Sequence, residues 1–598
     1  MIIILLISSI CSVVGIQQTE WLYVRDLENN ETVPFRIAIK YDRDNVERMT
    51  VMANFISHPK ARNYPYLTTE QIQDEFITER VRIRSNRVIN YLNNSDVNLE
   101  HCVNYGDSIK CNTYVHLVNK IFNINMKEYH HPIHKRTMYR ASTNYVIPIE
   151  IKKYISFIEG LSHLPMMGTK RLYKSFDPTN VADSGFMMRE VHERMYNMTI
   201  NNSMFNTSIG VVEFSGNGFK QSNMDMTMML NGDTEQDVVC VIGYNPKESG
   251  IEDELDMQMV GIISNGVNIC YINYNDNLWV YDMFADLAIN PKTPNVVSIS
   301  YGWAEWDQCD IVECNNETAK QYIERTNLES MKLVLRGISV FVSSGDAGSP
   351  TRVNEDCVYK TVTGQPYPTV SADYPGCAPW ITSVGGTFVR SQPSQEFNYT
   401  SKACLTNQCI NGTTTQTISY DTVGWTTGGG FAIYTTETRP TWQDYVVKQY
   451  LKENITFPNS SYWNRHGRGY PDVTDNAHNC PVWGISDRSN DPKYYDVDGT
   501  SCSSPLFAAK VALINSYLQS VGKRTLGFMN PLLYLVSQEY PNVFKQPDFI
   551  TNTHCTEYRC CNDDFGYNAP NDNIPWNPVS GLGQMNFGLL LDYVKKID

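Results

Sequence analysis

Across residues 238–384 short apolar runs alternate with longer stretches of helical periodicity, and no other feature limits the fold of this chain as tightly. Residues 238–242, 268–272, 295–301, 338–342 and 380–384 read as buried strands, rich in β-branched and apolar side chains with little in–out alternation. Between them, residues 251–264, 282–288 and 318–336 carry apolar positions at three- and four-residue spacing and read as helices. Strands joined through helices run parallel, because the crossover returns the chain to the starting end of the sheet. The expected fold class is α/β, a mostly parallel sheet with helices on both faces. Sites in such sheets gather at the carboxyl ends of the strands.

Three elements of this half bring chemistry. In Asp498-Gly499-Thr500-Ser501-Cys502-Ser503-Ser504-Pro505 a small-residue turn runs into an apolar helical pattern. Gly499 permits a sharp turn and Pro505 suits a first helical turn. Ser501 falls at the helix entrance, where unpaired N–H groups and the positive dipole end favour developing negative charge. Ser501 is the candidate nucleophile, although alone it reads as an N-cap serine. Glu252 and Asp256 stand four residues apart on one helix face. Like charges so close push one proton affinity upward, and such a pair acts as general acid and base at low pH; alone it reads as a solvated acidic first turn. Asp346 follows an apolar strand in Ser343-Ser344-Gly345-Asp346-Ala347-Gly348. Kept neutral it would donate a hydrogen bond to an oxyanion; alone it reads as an Asx-turn residue. Jointly the three make a serine hydrolase with a carboxylate base. A Ser-His-Asp arrangement fits less well, since the one His-Gly pair, His466-Gly467, lies close before Ser501.

With 598 residues, 42% of them apolar, the chain is long enough for more than one core. Residues 2–14 are an apolar run too short to span a bilayer and read as a signal peptide, with an uncleaved anchor as the alternative. Residues 20–164 mix strand-like alternation at 35–41 with helical periods at 70–76 and 86–92, a compact α+β unit. His130, His131 and His134 cluster there around Pro132 and read as a pH-sensitive surface rather than a metal site. Residues 166–185 are polar and basic and read as a linker, with Lys170-Arg171 an accessible processing point. The domain plan is a signal peptide at 1–16, an α+β unit at 17–165, a linker at 166–185 and a catalytic domain at 186–598.

Ten Asn-x-Ser/Thr sequons, at Asn30, Asn93, Asn197, Asn201, Asn206, Asn316, Asn398, Asn411, Asn454 and Asn459, agree with passage through the secretory route. Of 16 cysteines, Cys11 lies in the apolar run; the others are odd in number, so at least one thiol is expected, with Cys502 the candidate. Close spacings at Cys102/Cys111, Cys309/Cys314, Cys404/Cys409 and Cys555/Cys560/Cys561 suggest local disulfides. A formal charge of −15 argues against nucleic acid and anionic membrane surfaces as partners.

The motifs as a set resemble those of the sedolisin family of serine-carboxyl peptidases. Gly499 to Pro505 match its nucleophile motif, with Asp498 where serine is usual; Glu252, Asp256 and Gln258 match its Glu-x-x-x-Asp-x-Gln pattern. Ser344-Gly345-Asp346 with Gly348, Val297 to Gly302, Val384 to Thr387, Gly428 to Phe431 and Gly469 to Val473 match further. The resemblance implies a subtilisin-like sheet behind an inhibitory α+β propeptide, self-activation in acid, and peptide or protein substrates. It gives attack to Ser501, proton transfer to Glu252, orientation of Glu252 to Asp256 and oxyanion stabilisation to Asp346. Gly428, Gly429 and Gly430 would offer a backbone edge to an extended substrate. A calcium ion is implied near the C-terminus, with Asp548, Phe549, Asn573, Pro575 and Asn577 in the matching positions; Asn577 stands where a carboxylate is usual, which weakens a hard-cation site. The implied activity is release of tripeptides from free N-termini by an acid peptidase of the lysosome or exterior. An acid endopeptidase and a silent peptide-binding glycoprotein are the alternatives.

Overall fold

The computed structural model describes residues 21–597 except 133–135, 163, 165–173, 177–186, 199–206, 215, 234–235, 265, 275–277, 306–307, 309–318, 351–358, 361–365, 368–369, 392–412, 435–438, 487–488, 557–559 and 571–573. The proposed signal peptide, His134, Asn573, Lys170-Arg171 and the pairs Cys309/Cys314 and Cys404/Cys409 therefore lie outside the described residues.

A ten-stranded sheet organises the larger part of the chain. Its order is Val238–Gly243, Asn268–Asn273, Ser208–Glu213, Val296–Ile299, Ser339–Ser343, Thr382–Ser391, Val473–Asn476, Gln584–Met585 and Phe544–Lys545, with Thr413–Thr417 added on Thr382–Ser391. Pairing is parallel as far as Gln584–Met585; Phe544–Lys545 and Thr413–Thr417 are antiparallel additions. The expected helices form as Ile251–Ile263, Val280–Ile289 and Ala319–Leu335. Alternate strand residues pack to opposite faces. Ile209, Val211, Tyr271 and Phe341 join the core under the Ile251–Ile263 and Thr500–Ser520 helices, while Val212, Ile272, Val340 and Val342 join the core under Val280–Ile289 and Ala319–Leu335. Burial on both faces explains why the inner strands read as continuous apolar runs; Val238–Gly243, expected as a buried strand, is instead the sheet edge, with Val239 and Val241 exposed.

A buried ion pair crosses the first of these cores. Lys510, on the Thr500–Ser520 helix, bonds Asp475 of the Val473–Asn476 strand and lies 3.3 Å from the centre of the Tyr196 ring. Burial pushes the lysine down to about 8 against the pull of Asp475. Asp475→Asn would leave this ammonium unpaired and cost about 3–5 kcal/mol, read as a lower urea midpoint at pH 7 with an unchanged slope.

The N-terminal unit is α+β as expected. Its four-stranded antiparallel sheet runs Cys102–Asn104, Ser108–Tyr114, Thr32–Ile39 and Ile155–Glu159, covered by the Glu79–Asn94 helix, and a second sheet joins Leu22–Asp26, Met126–His131 and Arg136–Ala141. His130 and His131 are neighbours on one strand and so face opposite ways: His130 contacts Thr137, while His131 is buried edge-on against Trp21. The expected histidine surface is thus corrected for His131, which belongs to the core.

This unit docks on the sheet domain through buried charge. Arg36 bonds Asp282 at 2.8 Å, and Lys110 bridges Asp282 and Asp286 at 2.8 Å each. Asp107 receives Lys332 and, at 3.4 Å, Arg325, both from the Ala319–Leu335 helix. Glu159 accepts from the Asp282 N–H at 3.0 Å and from Tyr322 Oη at 3.1 Å. Tyr66 forms a plug: its hydroxyl donates to the carbonyls of Thr525 and Leu526, and a Cβ on Gly337 would come within 2.1 Å of its ring and one on Gly527 within 2.3 Å of its hydroxyl oxygen.

The linker departs from expectation. Lys174–Phe176 is a strand, paired antiparallel with Ser489–Val497 just before the Ser501 turn. Its short Lys-Ser-Phe run between breakers is too brief to register as periodicity; the pairing is supplied by the neighbouring hairpin.

Candidate active site

Ser501 is held by a turn fixed both by its sequence neighbours and by groups brought from elsewhere in the chain. Gly499 has φ 146°, outside the range favoured by L side chains, and its N–H donates to the Ala477 carbonyl at 2.9 Å. Asp498, in place of the usual serine, bonds His478 at 2.7 Å and accepts the Asn479 N–H at 3.2 Å, tying the turn to the adjoining loop. The helix begins at Thr500, so Pro505 sits inside it rather than in its first turn. Proline has no N–H for the carbonyl four residues earlier, and that carbonyl belongs to Ser501. Ser501 itself is 4% exposed.

Asp346 reaches the same turn from the sheet. Thr500, directly before Ser501, donates its N–H at 2.8 Å and its hydroxyl at 2.9 Å to Asp346 Oδ1. With Oδ1 occupied by two donors, a proton on this carboxyl belongs on Oδ2. Gly345, at φ 101°, carries the chain round Asp373 before Asp346. Gly428 lies against this loop, its N–H donating to the Gly345 carbonyl at 2.7 Å. Gly428, Gly429 and Gly430 are all buried; a Cβ on Gly428 would lie 2.0 Å from the Ser344 carbonyl oxygen and one on Gly429 1.9 Å from that of Pro578. Much of this run is therefore consumed in close backbone packing rather than held open as an edge.

The Ile251–Ile263 helix packs directly on the Thr500–Ser520 helix. It begins at Gly250 with Glu252, Asp253 and Glu254 in its first turn, where the dipole favours negative charge. Asp256 is fully buried and Glu252 half-buried. Gln258 fixes the helix: its amide exchanges two hydrogen bonds of 2.8 Å with the backbone of Trp483. Burial raises Glu254 to about 8, against hydrogen bonds from Asn223 and Gln258.

One carboxyl of this cluster escaped the sequence reading. Glu213 ends Ser208–Glu213, the strand at which the sheet order reverses, flanked by Asn268–Asn273 on one side and Val296–Ile299 on the other. Such a switch point opens a crevice beyond the strand ends. Glu213 is fully buried and accepts from Tyr301 Oη at 2.8 Å. Burial, with the charges of Asp253, Asp256 and Glu252 added, pushes its pKa well above the carboxylate range. Asp253 in turn accepts from Tyr271 Oη at 2.6 Å. The signal was present as an acid closing the run Ile209-Gly210-Val211-Val212-Glu213, but Gly210 interrupts that run. Gly210 is there because a Cβ would come within 2.7 Å of Ile272.

The described groups matched to calcium are turned to partners within the protein. Asp548 already accepts the Thr415 N–H at 2.8 Å and pairs with Lys545 at 3.0 Å. The Phe549 carbonyl accepts the Thr417 N–H at 3.0 Å, and Asn577 Oδ1 accepts from the N–H groups of Val579 and Ser580 at 2.9 and 3.0 Å. The Pro575 carbonyl faces the Gln546 amide at 3.4 Å. Among the described residues no three His, Cys, Asp or Glu side chains converge as metal ligands.

Disulfides join Cys102–Cys111 and Cys555–Cys560, within two of the spacings noted, and also Cys240–Cys270 across adjacent parallel strands. Cys502 is a fully buried thiol, as expected, along with Cys377 and Cys480. The described sequon asparagines Asn30, Asn93, Asn197, Asn454 and Asn459 are all exposed. Among the described residues no helix is long and apolar enough to cross a membrane.

Residues 19–164 match the pro-kumamolisin activation domain. Over 97% of this chain and 96% of its own length, physarolisin of Physarum polycephalum is 28% identical. Human tripeptidyl-peptidase 1 is 26% identical over 96% of this chain and 93% of its own, and the Dictyostelium discoideum protein of that name 24% identical over 95% and 90%. Among solved structures, Pseudomonas sedolisin, a serine-carboxyl proteinase, aligns with 69% of this chain and 99% of its own at 19% identity and a TM-score of 0.47. A parallel-sheet domain preceded by an activation domain, with peptidase relatives along its whole length, defines a peptidase made as a precursor. Along its length the chain is similar to the serine-carboxyl peptidases of the sedolisin family, in the neighbourhood of tripeptidyl-peptidase 1.

Proposed function

We propose that this protein is an acid peptidase made as a self-activating zymogen, and that it releases tripeptides from free N-termini through an acyl-enzyme on Ser501. The observation that carries the reading is the double hydrogen bond from Thr500 to Asp346, which brings a strand-end carboxyl to the residue next to the nucleophile. Glu252 removes the Ser501 proton as Oγ attacks the peptide carbonyl, and then gives it to the departing amine. Asp256 orients Glu252. Asp346, protonated on Oδ2, donates to the oxyanion of the tetrahedral intermediate. Water then enters with Glu252 as base, the acyl–oxygen bond breaks, and Ser501 recovers its proton. Glu213, its proton affinity raised by burial and by the neighbouring carboxylates, holds a proton, so the cluster around Glu252 carries one negative charge fewer.

The reading extends to a signal peptide at 1–16, a propeptide at 17–165, processing within 166–185, and a secretory-route destination, lysosome or exterior. Support comes from the activation-domain match over 19–164 and from the exposed sequon asparagines. The specificity is checked with a decapeptide offered free and N-acetylated at about pH 4, an acidity near free carboxyl pKa values. Successive tripeptides from the free peptide only are expected; internal cleavage of the acetylated peptide would establish the endopeptidase instead.

A further inference from the structure

Two of the C-terminal groups matched to calcium, Pro575 and Asn577, are tied together by a side chain that no motif covers. Gln546 Nε2 donates to the carbonyls of Gly581, at 2.9 Å, and Pro575, at 3.4 Å. Its Oε1 accepts from Ser580 Oγ at 2.6 Å and from Asn577 Nδ2 at 3.3 Å. A cation site needs acceptors alone, whereas Asn577 and Ser580 aim hydrogens inward. Two residues on, the carboxylate of Asp548 has the Lys545 ammonium at 3.0 Å. The amide therefore gathers the carbonyls, and the ammonium compensates the carboxylate.

We propose that Gln546, with Lys545, does the work of a bound divalent cation, and that this peptidase holds its C-terminal loop and the neighbouring glycine run without calcium. The loop matters to the site because Pro578, within it, sets the space at Gly429. Trp576 Nε1 also donates to the Pro471 carbonyl at 2.9 Å, and Gly581 lies against the backbone of Asp472. Displacement of residues 575–581 would thus move Gly428–Gly430, which lie against the Asp346 loop. Gln546 is a positioning residue.

The test uses purified full-length protein dialysed against EGTA, its calcium measured by atomic emission and its melting temperature followed as calcium chloride is added. The expected result is far less than one calcium per chain and a melting temperature that calcium does not move. Gln546→Ala is expected to melt several degrees lower and, once processed, to show a raised KM for peptide with kcat less affected; calcium chloride restores neither. One calcium per chain after dialysis, or a wild-type melting point rising by several degrees with calcium chloride, overturns the proposal. So does a Gln546→Ala protein with wild-type melting and KM. If that variant does not fold, Gln546→Met takes its place and is read in the same way, while the wild-type calcium measurement still decides the metal question.

Discussion

Ser501→Ala protein, purified and brought from pH 7 to about pH 4, keeps its full mass for as long as the wild type takes to lose roughly its first third. Glu252→Gln behaves the same way. Both retain the wild-type melting temperature at pH 7, because Ser501 loses only a hydroxyl and Glu252 is half-buried near a helix start rather than in the core. Turnover of peptide by material processed with an added protease falls by roughly 10⁴–10⁶-fold for Ser501→Ala, the scale seen when a nucleophile is removed and only binding and oxyanion stabilisation remain. Asp346→Asn falls less, by about 10²–10³, since an amide oxygen can still accept from Thr500 and its nitrogen can still donate, but an amide N–H is a weaker donor to an oxyanion than a carboxylic acid O–H. Mass spectrometry over time and steady-state assays read both. Normal self-processing in either Ser501→Ala or Glu252→Gln would remove the proposed mechanism.

Asp107→Asn loosens the N-terminal unit at neutral pH. Arg325 and Lys332, both buried, then share Glu329 alone, and an uncompensated buried charge costs about 3–5 kcal/mol. Limited proteolysis at pH 7 is expected to release the unit far faster than from wild type. The wild-type pH dependence follows from two shifts of opposite sign. Burial alone would raise Asp107, but the Lys332 ammonium and Arg325 guanidinium hold it below the usual carboxylate range. Its folded pKa is depressed, so its stabilisation is complete above the unfolded value near 3.9 and is lost only as pH falls through the lower folded value. Glu159 runs the other way. Burial, with Asp282 adding, raises it to about 7, so the docked state prefers it neutral, and docking strengthens as pH falls from above 7 toward the unfolded value near 4.3. Acid at pH 4–5 therefore leaves these contacts intact, and the unit departs after the linker is cut rather than before. Gel filtration of Ser501→Ala at that pH should find a docked, full-length chain; nicked Ser501→Ala, cut by an added protease, should separate. Glu159→Gln should dock more tightly than wild type above pH 7 and equally in acid.

Half of the ten-stranded sheet and the helices between those strands were legible, because a doubly covered parallel strand needs apolar residues at nearly every position, which leaves a continuous run; the two-residue strands Gln584–Met585 and Phe544–Lys545 are too short to leave one. Ser208–Glu213 was missed because Gly210, needed for close strand packing, breaks that pattern. The three elements of the proposed site were legible for different reasons: Ser501 and Asp346 each follow a glycine that the backbone requires, Gly499 at φ 146° and Gly345 at φ 101°, and Glu252 with Asp256 showed by their four-residue spacing on one helix. What stayed hidden depends on partners far away in the chain. Pro505 looked like a first-turn residue because the helix start is set by Thr500 bonding Asp346, more than a hundred residues earlier. Gln546 carries no motif, and its role exists only once the loop at Asn577 closes on it. Lys174–Phe176 becomes a strand because the Ser489–Val497 hairpin offers a neighbour.

Tyr66 and the two glycines that receive its side chain belong to different lifetimes of the molecule. Gly337 and Gly527 have φ of 74° and 66°, so each is constrained twice in the precursor, by backbone and by the tyrosine side chain pressed onto it. Once the N-terminal unit has gone, only the backbone constraint remains, a matter of roughly 1 kcal/mol for an alanine. Replacement at either position would spare a mature enzyme while crippling its birth. Screens for inherited or engineered change that assay only the finished catalyst would score as harmless exactly those variants that never reach it.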